Sequence, residues 1–252
     1  MSSPNLRINP DLQVSEWPAP TPREDWRKRW LAHPRRAVLF DLDGTLLDTA
    51  ADLGGVANAL REKAGLAPME ISELRPYASK GARGLIQKAL GVEWDDPRFE
   101  SLRDDFLSLY ERDISRHTQF MPGLTEVVAA LESAQMPWGI VTNKYERFTW
   151  PLVEALGLRS RLAVCVGGDT TPHAKPHPAP LRHAIAQLGL PAEAVVYVGD
   201  DYRDIVSGFH AGCFTVAAAF GFCSSERPVS DWGADATAQE GIDLLPLLCG
   251  PH

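Results

Sequence analysis

Five short runs of apolar residues, separated by stretches with helical periodicity, constrain the fold of this chain more than any other feature. The runs are Ala37–Phe40, Trp138–Val141, Leu162–Val166, Ala194–Val198 and Phe214–Ala218. Strands that are apolar along their whole length belong to parallel sheets, because helices cover both faces of such a sheet. The sequence therefore predicts an α/β fold built on a doubly wound parallel sheet.

The interval between the first and second runs is too long for a simple crossover. It spans about ninety residues, whereas a crossover between parallel strands needs only about a dozen. It contains no strand-like run, and the side chains that recur there at helical spacing include Phe99, Leu102, Phe106 and Leu109. We therefore expect an inserted α-helical cap subdomain at residues 55–122, carried by a Rossmann-like core formed by residues 37–54 and 123–252.

Residues 1–36 form an N-terminal extension rich in Pro, Arg and Trp ahead of the first run. The segment Thr21–Glu24 resembles a capping box with Pro at the first helical position, which predicts a short helix from this point through Leu31. Trp26 and Trp30 would share one face of that helix because they are four residues apart. Two interpretations stay open: the indoles pack back on the domain, or they form a surface for a partner.

The charge and composition exclude several classes of protein. The net charge is −8 with 44% hydrophobic residues, and an acidic surplus argues against a nucleic-acid groove. No apolar run reaches the length that spans a bilayer, and the N-terminus lacks a signal-peptide pattern. The four cysteines have no metal-site spacing, so we interpret Cys165 and Cys213 as core residues. We expect a cytoplasmic protein, a monomer or homodimer, with neither nucleic acid nor membrane as a partner.

Acidic residues stand where two of the apolar runs end. Asp41 and Asp43 follow the first run and point the same way, because residues two apart in an extended segment share a side. Asp200 follows the fourth run, with Asp204 one helical turn later. If these strands are neighbours, up to four carboxylates meet at one sheet edge and repel one another unless a cation neutralises them. Mg²⁺ is the expected ion, since it prefers oxygen ligands and commonly shares them with a phosphate.

Two further segments supply groups that suit a phosphate. Thr142 and Asn143 close the second run and offer a hydroxyl and backbone N–H groups near a helix start. Lys175 lies in a proline-rich loop after the third run and can hold a positive charge beside a phosphoryl oxygen. We expect these three residues to bind phosphate. His173 and His177 flank prolines in the same loop, and we interpret them as solvent-facing spacers rather than metal ligands.

Four motifs in order resemble those of the haloacid dehalogenase superfamily of phosphatases. They are Asp41–Thr45, Val141–Lys144, Lys175–Pro176 and Gly199–Asp204. The resemblance runs from about residue 37 to the end of the chain. It implies a covalent mechanism, phosphoryl transfer to an aspartate followed by hydrolysis.

The same resemblance implies a role for each site residue. Asp41 is the implied nucleophile, and Asp43 is the acid for the leaving alkoxide and then the base for water. Mg²⁺ would be held by Asp41, the backbone carbonyl of Asp43 and Asp200. Asp204 would lie behind these ligands or orient the lysine, and for both Asp201 and Asp204 a helix-capping or ion-pair role stays open. The implied catalytic set is Asp41, Asp43, Thr142 and Lys175.

A glycine-containing loop inside the insertion is the candidate for leaving-group recognition. The segment Ser79–Gly84 includes Lys80, Gly81 and Arg83, whose charges suit a carboxylate, although a solvated helix start is the alternative. This loop is similar to that of bacterial phosphoglycolate phosphatases. N-acetylmuramic acid 6-phosphate phosphatases share the loop and the Trp232–Asp235 stretch. The resemblance implies a small phosphorylated acid as substrate, 2-phosphoglycolate first, with N-acetylmuramic acid 6-phosphate or a sugar phosphomutase reaction as alternatives.

Overall fold

A six-stranded parallel sheet forms the centre of the molecule, with its strands in the order β5-β4-β1-β6-β7-β8. The computed structural model describes residues 14–223 and 227–250; residues 1–13 of the predicted extension, 224–226 and 251–252 lie outside the described residues. The strands of this sheet are β1 (Ala37–Phe40), β4 (Trp138–Val141), β5 (Val164–Val166), β6 (Val195–Gly199), β7 (Phe214–Ala218) and β8 (Ala236–Ala238). A separate antiparallel pair is formed by β2 (Leu47–Asp48) and β3 (Gln119–Phe120). The predicted doubly wound α/β fold is confirmed.

Both faces of the sheet are buried, as its continuously apolar strands require. In β1, Val38 and Phe40 point into one hydrophobic cluster, whereas Ala37 and Leu39 point into a second cluster on the other face. All four side chains are fully buried. The central position of β1, between β4 and β6, explains why none of its side chains is polar.

Helices cover the sheet on both sides and also form the insertion. They are α1 (Trp26–Leu31), α2 (Ala50–Lys63), α3 (Ile71–Ala78), α4 (Gly81–Leu90), α5 (Phe99–Arg112), α6 (Leu124–Ser133), α7 (Glu146–Ala155), α8 (Ala179–Leu188), α9 (Tyr202–Ala211) and α10 (Leu244–Leu248). The cluster on the Val38 face includes side chains of α1, α6, α7 and α10. On the opposite face, α8 packs against β5 and α9 packs against β6 and β7. Among the described residues, no helix is both long and apolar enough to cross a membrane.

The insertion is a bundle of the four helices α2 to α5 with a hydrophobic cluster of its own. That cluster already includes Ala50 and Leu53, because α2 begins at Ala50. We therefore propose that the cap starts with α2, five residues before the boundary set from the sequence. The expectation of no strand in this interval is wrong: β2 and β3 pair where the chain leaves the core and where it returns to it.

Several predicted element boundaries also need correction. The third run becomes a strand only from Val164, and the fourth begins at Val195 because a 3-10 turn occupies Ala192–Ala194. The edge strand β8 was not predicted. Its three residues, Ala-Thr-Ala, are too few and too weakly apolar to produce a strand signal.

The described part of the N-terminal extension packs on the core. Trp30 is completely buried and Trp26 is 6% exposed, both in the cluster that includes the Val38 face of the sheet. Arg23 pairs with the buried carboxylate of Asp235, with an Nη2 to Oδ2 distance of 2.5 Å. The helix begins at Trp26 after an N-cap residue with no side-chain cap, so the capping box predicted at Thr21 is wrong. The indoles pack back on the domain, as the first of the two interpretations stated.

Candidate active site

Three polar strand ends meet at the carboxyl edge of the sheet. Asp41 follows β1, Thr142 follows β4 and Asp200 follows β6, and these three strands are neighbours with β1 in the centre. The backbone N–H of Asp41 still donates to the carbonyl of Val198 at 2.9 Å, so the ladder with β6 continues into the site. Open α/β sheets bind their ligands at this edge.

Lys175 is buried against the Asp41 carboxylate. Its Nζ lies 2.7 Å from Asp41 Oδ1 and 2.7 Å from Asp204 Oδ1, and it also donates to the hydroxyl of Tyr197 at 2.8 Å. Only 4% of Lys175 is exposed. Burial alone would lower the pKa of its ammonium, but the carboxylates of Asp204 and Asp41 outweigh that effect and the pKa is raised. Lys175 therefore presents a fixed positive charge to Asp41.

Asp43 is held by two side chains from different parts of the chain. Thr49 Oγ1 donates to Asp43 Oδ1 at 2.7 Å, and the ammonium of Lys144 lies 2.9 Å from Oδ1 and 3.1 Å from Oδ2. Burial disfavours the charge of Lys144, but Asp43 outweighs it and raises the pKa of the ammonium above its ordinary value. Lys144 thus links the first and second motifs.

Asp200 lies behind Asp41 in a closely fitted cradle. It accepts hydrogen bonds from Thr45 Oγ1 at 3.0 Å and from the backbone N–H of Phe222 at 2.8 Å. Gly44 has a φ of +86°, and a Cβ atom there would lie 2.4 Å from Asp200 Oδ2, so only glycine fits. Burial, with the nearby charges of Asp41 and Asp204, raises the pKa of Asp200 well above its ordinary value.

Asp201 and Asp204 form a capping box at the start of α9. Asp201 accepts from the backbone N–H of Arg203 at 2.9 Å, and Asp204 Oδ2 accepts from the backbone N–H of Asp201 at 3.0 Å. The other oxygen of Asp204 faces Lys175, and burial raises the pKa of Asp204 to about 7. The Asp201 carboxylate is engaged by the Arg203 guanidinium, which also donates to the backbone carbonyl of Ser79 at 2.9 Å in the cap.

The residues present fit a hard divalent cation. Carboxylate oxygens of Asp41, Asp200 and Asp204 all lie within 4.8 Å of one another. Burial and neighbouring carboxylates raise the pKa of Asp200 and of Asp204. Three carboxylates at this separation form a donor set that Mg²⁺ suits and that a soft metal does not. His173 and His177 are not members of this group; their rings stack on each other with centroids 4.4 Å apart.

The two residues that end β4 are partly engaged by the protein itself. Thr142 Oγ1 accepts from the backbone N–H of Lys144 at 3.1 Å, and the Thr142 N–H continues the sheet to the carbonyl of Val166. The carboxamide of Asn143 donates to the Lys175 carbonyl at 3.0 Å and accepts from the Lys175 N–H at 2.9 Å. The Asn143 side chain therefore holds the Lys175 loop in place, which the sequence did not predict.

A cavity of about 380 Å³ separates the carboxylates from the cap. Its polar wall includes Asp41, Asp43 and Lys175, and its cap wall includes apolar side chains such as Phe106 and Leu107 of α5. The charged floor thus faces apolar side chains of low polarisability, beside which electrostatic interactions are stronger than in bulk water.

Only part of the predicted cap loop lies at the cavity. Lys80 and Gly81 line the cavity, whereas Arg83 is not among the described residues that line it. Gly81 has a φ of +59° and is the first residue of α4, so the turn before this helix needs a glycine. Lys80, like Arg103 of α5, is a cap cation that lines the cavity.

Four residues that shape the site were missed as site residues at the sequence level. Tyr197 is an inner strand residue and Tyr110 a helical residue, so each has the pattern of an ordinary core aromatic. Lys144 stands inside the second motif, and its proximity to a strand end was the available signal. Arg203 follows Asp201 directly, and only the fold reveals that it contacts the cap.

The comparison with known families matches this geometry. The sequence profile of the haloacid dehalogenase-like hydrolases matches residues 38–218. The chain is a haloacid dehalogenase-like hydrolase. This confirms the resemblance inferred from the four motifs, and it covers both the core and the inserted helices of this hydrolase.

Relatives with assigned activities include two kinds of phosphatase. The hydrolase is 40% identical to an N-acetylmuramic acid 6-phosphate phosphatase of Pseudomonas aeruginosa over 84% of the chain and 94% of that protein. It is also 40% identical to a phosphoglycolate phosphatase of Xanthomonas campestris pv. campestris over 86% of the chain and 98% of that protein. Among solved structures, a predicted phosphoglycolate phosphatase from Haemophilus somnus superposes with a TM-score of 0.74 at 25% identity, covering 86% of this chain and 99% of that one.

Proposed function

We propose that the chain is a Mg²⁺-dependent phosphatase that hydrolyses a small phosphorylated carboxylic acid through an aspartyl phosphate. The observation that carries the proposal is the contact between Asp41 and Lys175. A carboxylate on the floor of the cavity, 2.7 Å from a buried ammonium, is a nucleophile with a fixed charge beside it. Phosphoryl transfer depends mainly on positioning and charge stabilisation, and these are the features that this site has.

In the first step, an oxygen of Asp41 attacks phosphorus and the bond to the leaving alkoxide breaks. Lys175 stabilises the negative charge that the phosphoryl oxygens carry. Thr142 contributes its hydroxyl and Asn143 its backbone N–H, because the Thr142 N–H is already bonded to the Val166 carbonyl. Because Asn143 fixes both the N–H and the carbonyl of Lys175, the ammonium stays in position while charge develops.

Asp43 handles the protons in both steps. It gives a proton to the departing alkoxide oxygen and later takes one from the water that attacks the aspartyl phosphate. Its bonds to Thr49 and Lys144 hold the carboxylate in position at the wall of the cavity.

The ligand set that we propose for Mg²⁺ is Asp41, the backbone carbonyl of Asp43, and Asp200. Asp204 is assigned to Lys175, because its Oδ1 lies 2.7 Å from Nζ, and Asp201 to the cap of α9. When bound, the ion neutralises the carboxylates and polarises the phosphoryl group.

Lys80 supports a substrate with a carboxylate, since it brings a positive charge to the cap side of the cavity. We put 2-phosphoglycolate first. N-acetylmuramic acid 6-phosphate is the second candidate, favoured by the 380 Å³ of the cavity and by the relative from Pseudomonas aeruginosa. The cytoplasmic location and a monomeric or dimeric state belong to the same proposal.

A comparison of kcat/KM values with Mg²⁺ tests the proposal. The panel contains 2-phosphoglycolate, N-acetylmuramic acid 6-phosphate, β-glucose 1-phosphate and 4-nitrophenyl phosphate, with release of inorganic phosphate as the readout. We expect a preference of about a hundredfold for one of the two acids, which corresponds to about 2.7 kcal/mol. Conversion of glucose 1-phosphate without phosphate release would instead identify a phosphomutase.

A further inference from the structure

One face of α5 lines the cavity opposite the catalytic carboxylates. The residues of this face are Arg103, Phe106, Leu107 and Tyr110, which follow the i, i+3, i+4, i+7 spacing of a single helical stripe. The stripe changes in character along its length. Arg103 is about one third exposed at the side chain, whereas Phe106 and Tyr110 are each 1% exposed. The inner end of the stripe is therefore sealed from solvent.

The hydroxyl proton of Tyr110 has no hydrogen-bond acceptor among residues 14–223 and 227–250; the polar group beside the hydroxyl is the Lys144 ammonium, which can only donate. The aromatic ring is well packed: the Lys144 ammonium lies 4.6 Å from its centroid and the Phe148 ring 5.7 Å from it. A buried hydroxyl without a partner costs about 1–3 kcal/mol. Phenylalanine would keep the ring contacts and avoid that cost, so the hydroxyl proton needs an acceptor that the described residues do not supply.

The position of Tyr110 indicates which part of a substrate that partner belongs to. Lys144, on which the tyrosine ring rests, also holds Asp43 at 2.9 Å. Asp43 faces the leaving group, whereas Lys175 and Asp41 face the phosphoryl group. A substrate with its phosphorus beside Asp41 therefore extends its leaving group toward Tyr110.

We propose that Tyr110 is a specificity-determining residue whose hydroxyl donates a hydrogen bond to an oxygen of the leaving group. This rests on the proposed function. The substrate class is a phosphomonoester whose leaving group carries a carboxylate or hydroxyl oxygen a few bonds from the ester oxygen. A leaving group without such an oxygen leaves the hydroxyl unsatisfied.

The protonation state of Tyr110 fits a donor. Burial raises the pKa of the phenol above its ordinary value, because the phenolate is the charged form. The hydroxyl therefore keeps its proton throughout the pH range in which a phosphatase is assayed.

The substitution Tyr110→Phe removes this oxygen alone. We expect kcat/KM to fall roughly 10- to 100-fold for the preferred oxygen-bearing substrate and by less than about threefold for 4-nitrophenyl phosphate, whose nitro group is far from the ester. Tyr77→Phe is the matched control, since Tyr77 lies in the cap and is not among the described residues that line the cavity. The melting temperature of Tyr110→Phe should stay equal or rise, whereas a structural hydroxyl would make it fall.

The outcomes separate this inference from the proposed function. If the wild type prefers an acid and Tyr110→Phe lowers kcat/KM equally for the acid and for 4-nitrophenyl phosphate, the inference is overturned and the proposed function stands. If the wild type prefers β-glucose 1-phosphate to both acids and Tyr110→Phe abolishes that preference, the inference stands and the acid assignment fails. A wild type with no preference over 4-nitrophenyl phosphate contradicts both.

Discussion

At the scale of single residues, the site concentrates charge that the rest of the molecule keeps apart. Asp41, Asp200 and Asp204 gather three carboxylates within 4.8 Å, and among the described residues only Lys175 reaches two of them directly with a cation. One lysine cannot neutralise three carboxylates, so the cluster stays electrostatically unfavourable until a divalent cation binds. This electrostatic repulsion is concentrated in residues that the proposed reaction needs.

Substitutions of the two aspartates of the first motif are expected to lower activity for different reasons. Asp41→Asn removes the nucleophile and should lower kcat by at least about a thousandfold. Asp43→Asn keeps the nucleophile but removes the proton donor and acceptor, which is worth about 10²- to 10⁴-fold. Single-turnover assays with 2-phosphoglycolate measure both. Residual activity above a tenth of wild type in either variant, with an unchanged melting temperature, would contradict the assigned role.

Protons and Mg²⁺ should compete for the carboxylate cluster. The pKa of Asp204 is about 7 in the fold, against an ordinary value of 3.8. Because the folded state holds this proton more tightly than the unfolded chain does, ionisation destabilises the metal-free fold as pH rises from about 4 to about 7. Bound Mg²⁺ relieves that repulsion, so the rise in melting temperature on adding Mg²⁺ should be larger at pH 7.5 than at pH 5.

Thermal unfolding with and without 5–10 mM MgCl₂, roughly a saturating range for such sites, measures this difference. KCl at equal ionic strength is the control for screening, and Asp200→Asn is the control for the site. An equal Mg²⁺ effect at both pH values, or one that survives in Asp200→Asn, would show that the ion binds elsewhere.

At the scale of elements, Lys80 in the turn before α4 should contribute more to substrate recognition than Arg83 in the first turn of α4. Lys80 lines the cavity and Arg83 does not. We expect Lys80→Ala to raise KM for a phosphorylated acid roughly tenfold, the value of one charge-assisted contact, with a smaller rise for 4-nitrophenyl phosphate. Arg83→Ala should change KM less than Lys80→Ala does. The reverse order would place Arg83, not Lys80, at the substrate.

The strands that could be predicted from the sequence are those whose burial requires a continuous run of apolar residues. The apolar runs at Ala37–Phe40 and Phe214–Ala218 match strands residue for residue. The short edge strand β8 and the two-residue strands β2 and β3 contain no such apolar run. The pairing of β2 with β3 depends on how the core and the insertion meet. A local pattern cannot report a contact that only the tertiary structure creates.

The site residues also include some that the sequence predicted and some that only the structure revealed. The acidic strand ends and Lys175 could be assigned because chain order and sheet topology bring strand ends to one edge. The ion pair between Lys144 and Asp43 joins residues 101 positions apart, and Tyr110 has the spacing of any core aromatic on α5. The first depends on how two separate strand ends pack together and the second on how the cap packs on the core, and no spacing rule gives either.

At the scale of the whole molecule, the N-terminal segment is part of the core that it precedes. Trp30 Nε1 donates to the carbonyl of Ala194 at 3.1 Å, and Arg23 donates both to Asp235 and to the carbonyl of Cys213. The match to the family begins only at residue 38. The segment is thus an addition to the family fold that has become structural.

Truncating a side chain in this segment should reduce stability without changing the site. Trp30→Ala leaves a large cavity in the main cluster and should lower the free energy of unfolding by about 3–5 kcal/mol. Lys28→Ala, on the exposed side of the same helix, should change it by less than about 0.5 kcal/mol. Urea denaturation measures both.

Removal of residues 1–36 tests what else the segment does. Trp26 and Trp30 are buried in the single chain, so we expect the truncated protein to lose stability and to keep the oligomeric state of the full chain, measured by light scattering. A truncated protein with unchanged stability and a different oligomeric state would instead support a partner surface.

The docking of α1 also fixes an order of events during synthesis. Trp26 packs near Phe214, and Arg23 reaches Asp235, which is 212 residues later in the chain. At about 5–20 residues per second, the ribosome releases these partners roughly 10–40 s after the helix itself. During that time the two indoles lack part of their final packing, and the emerging chain presents a helix whose apolar face is incompletely covered. The last strands to be made therefore finish burying a helix that is synthesised long before them.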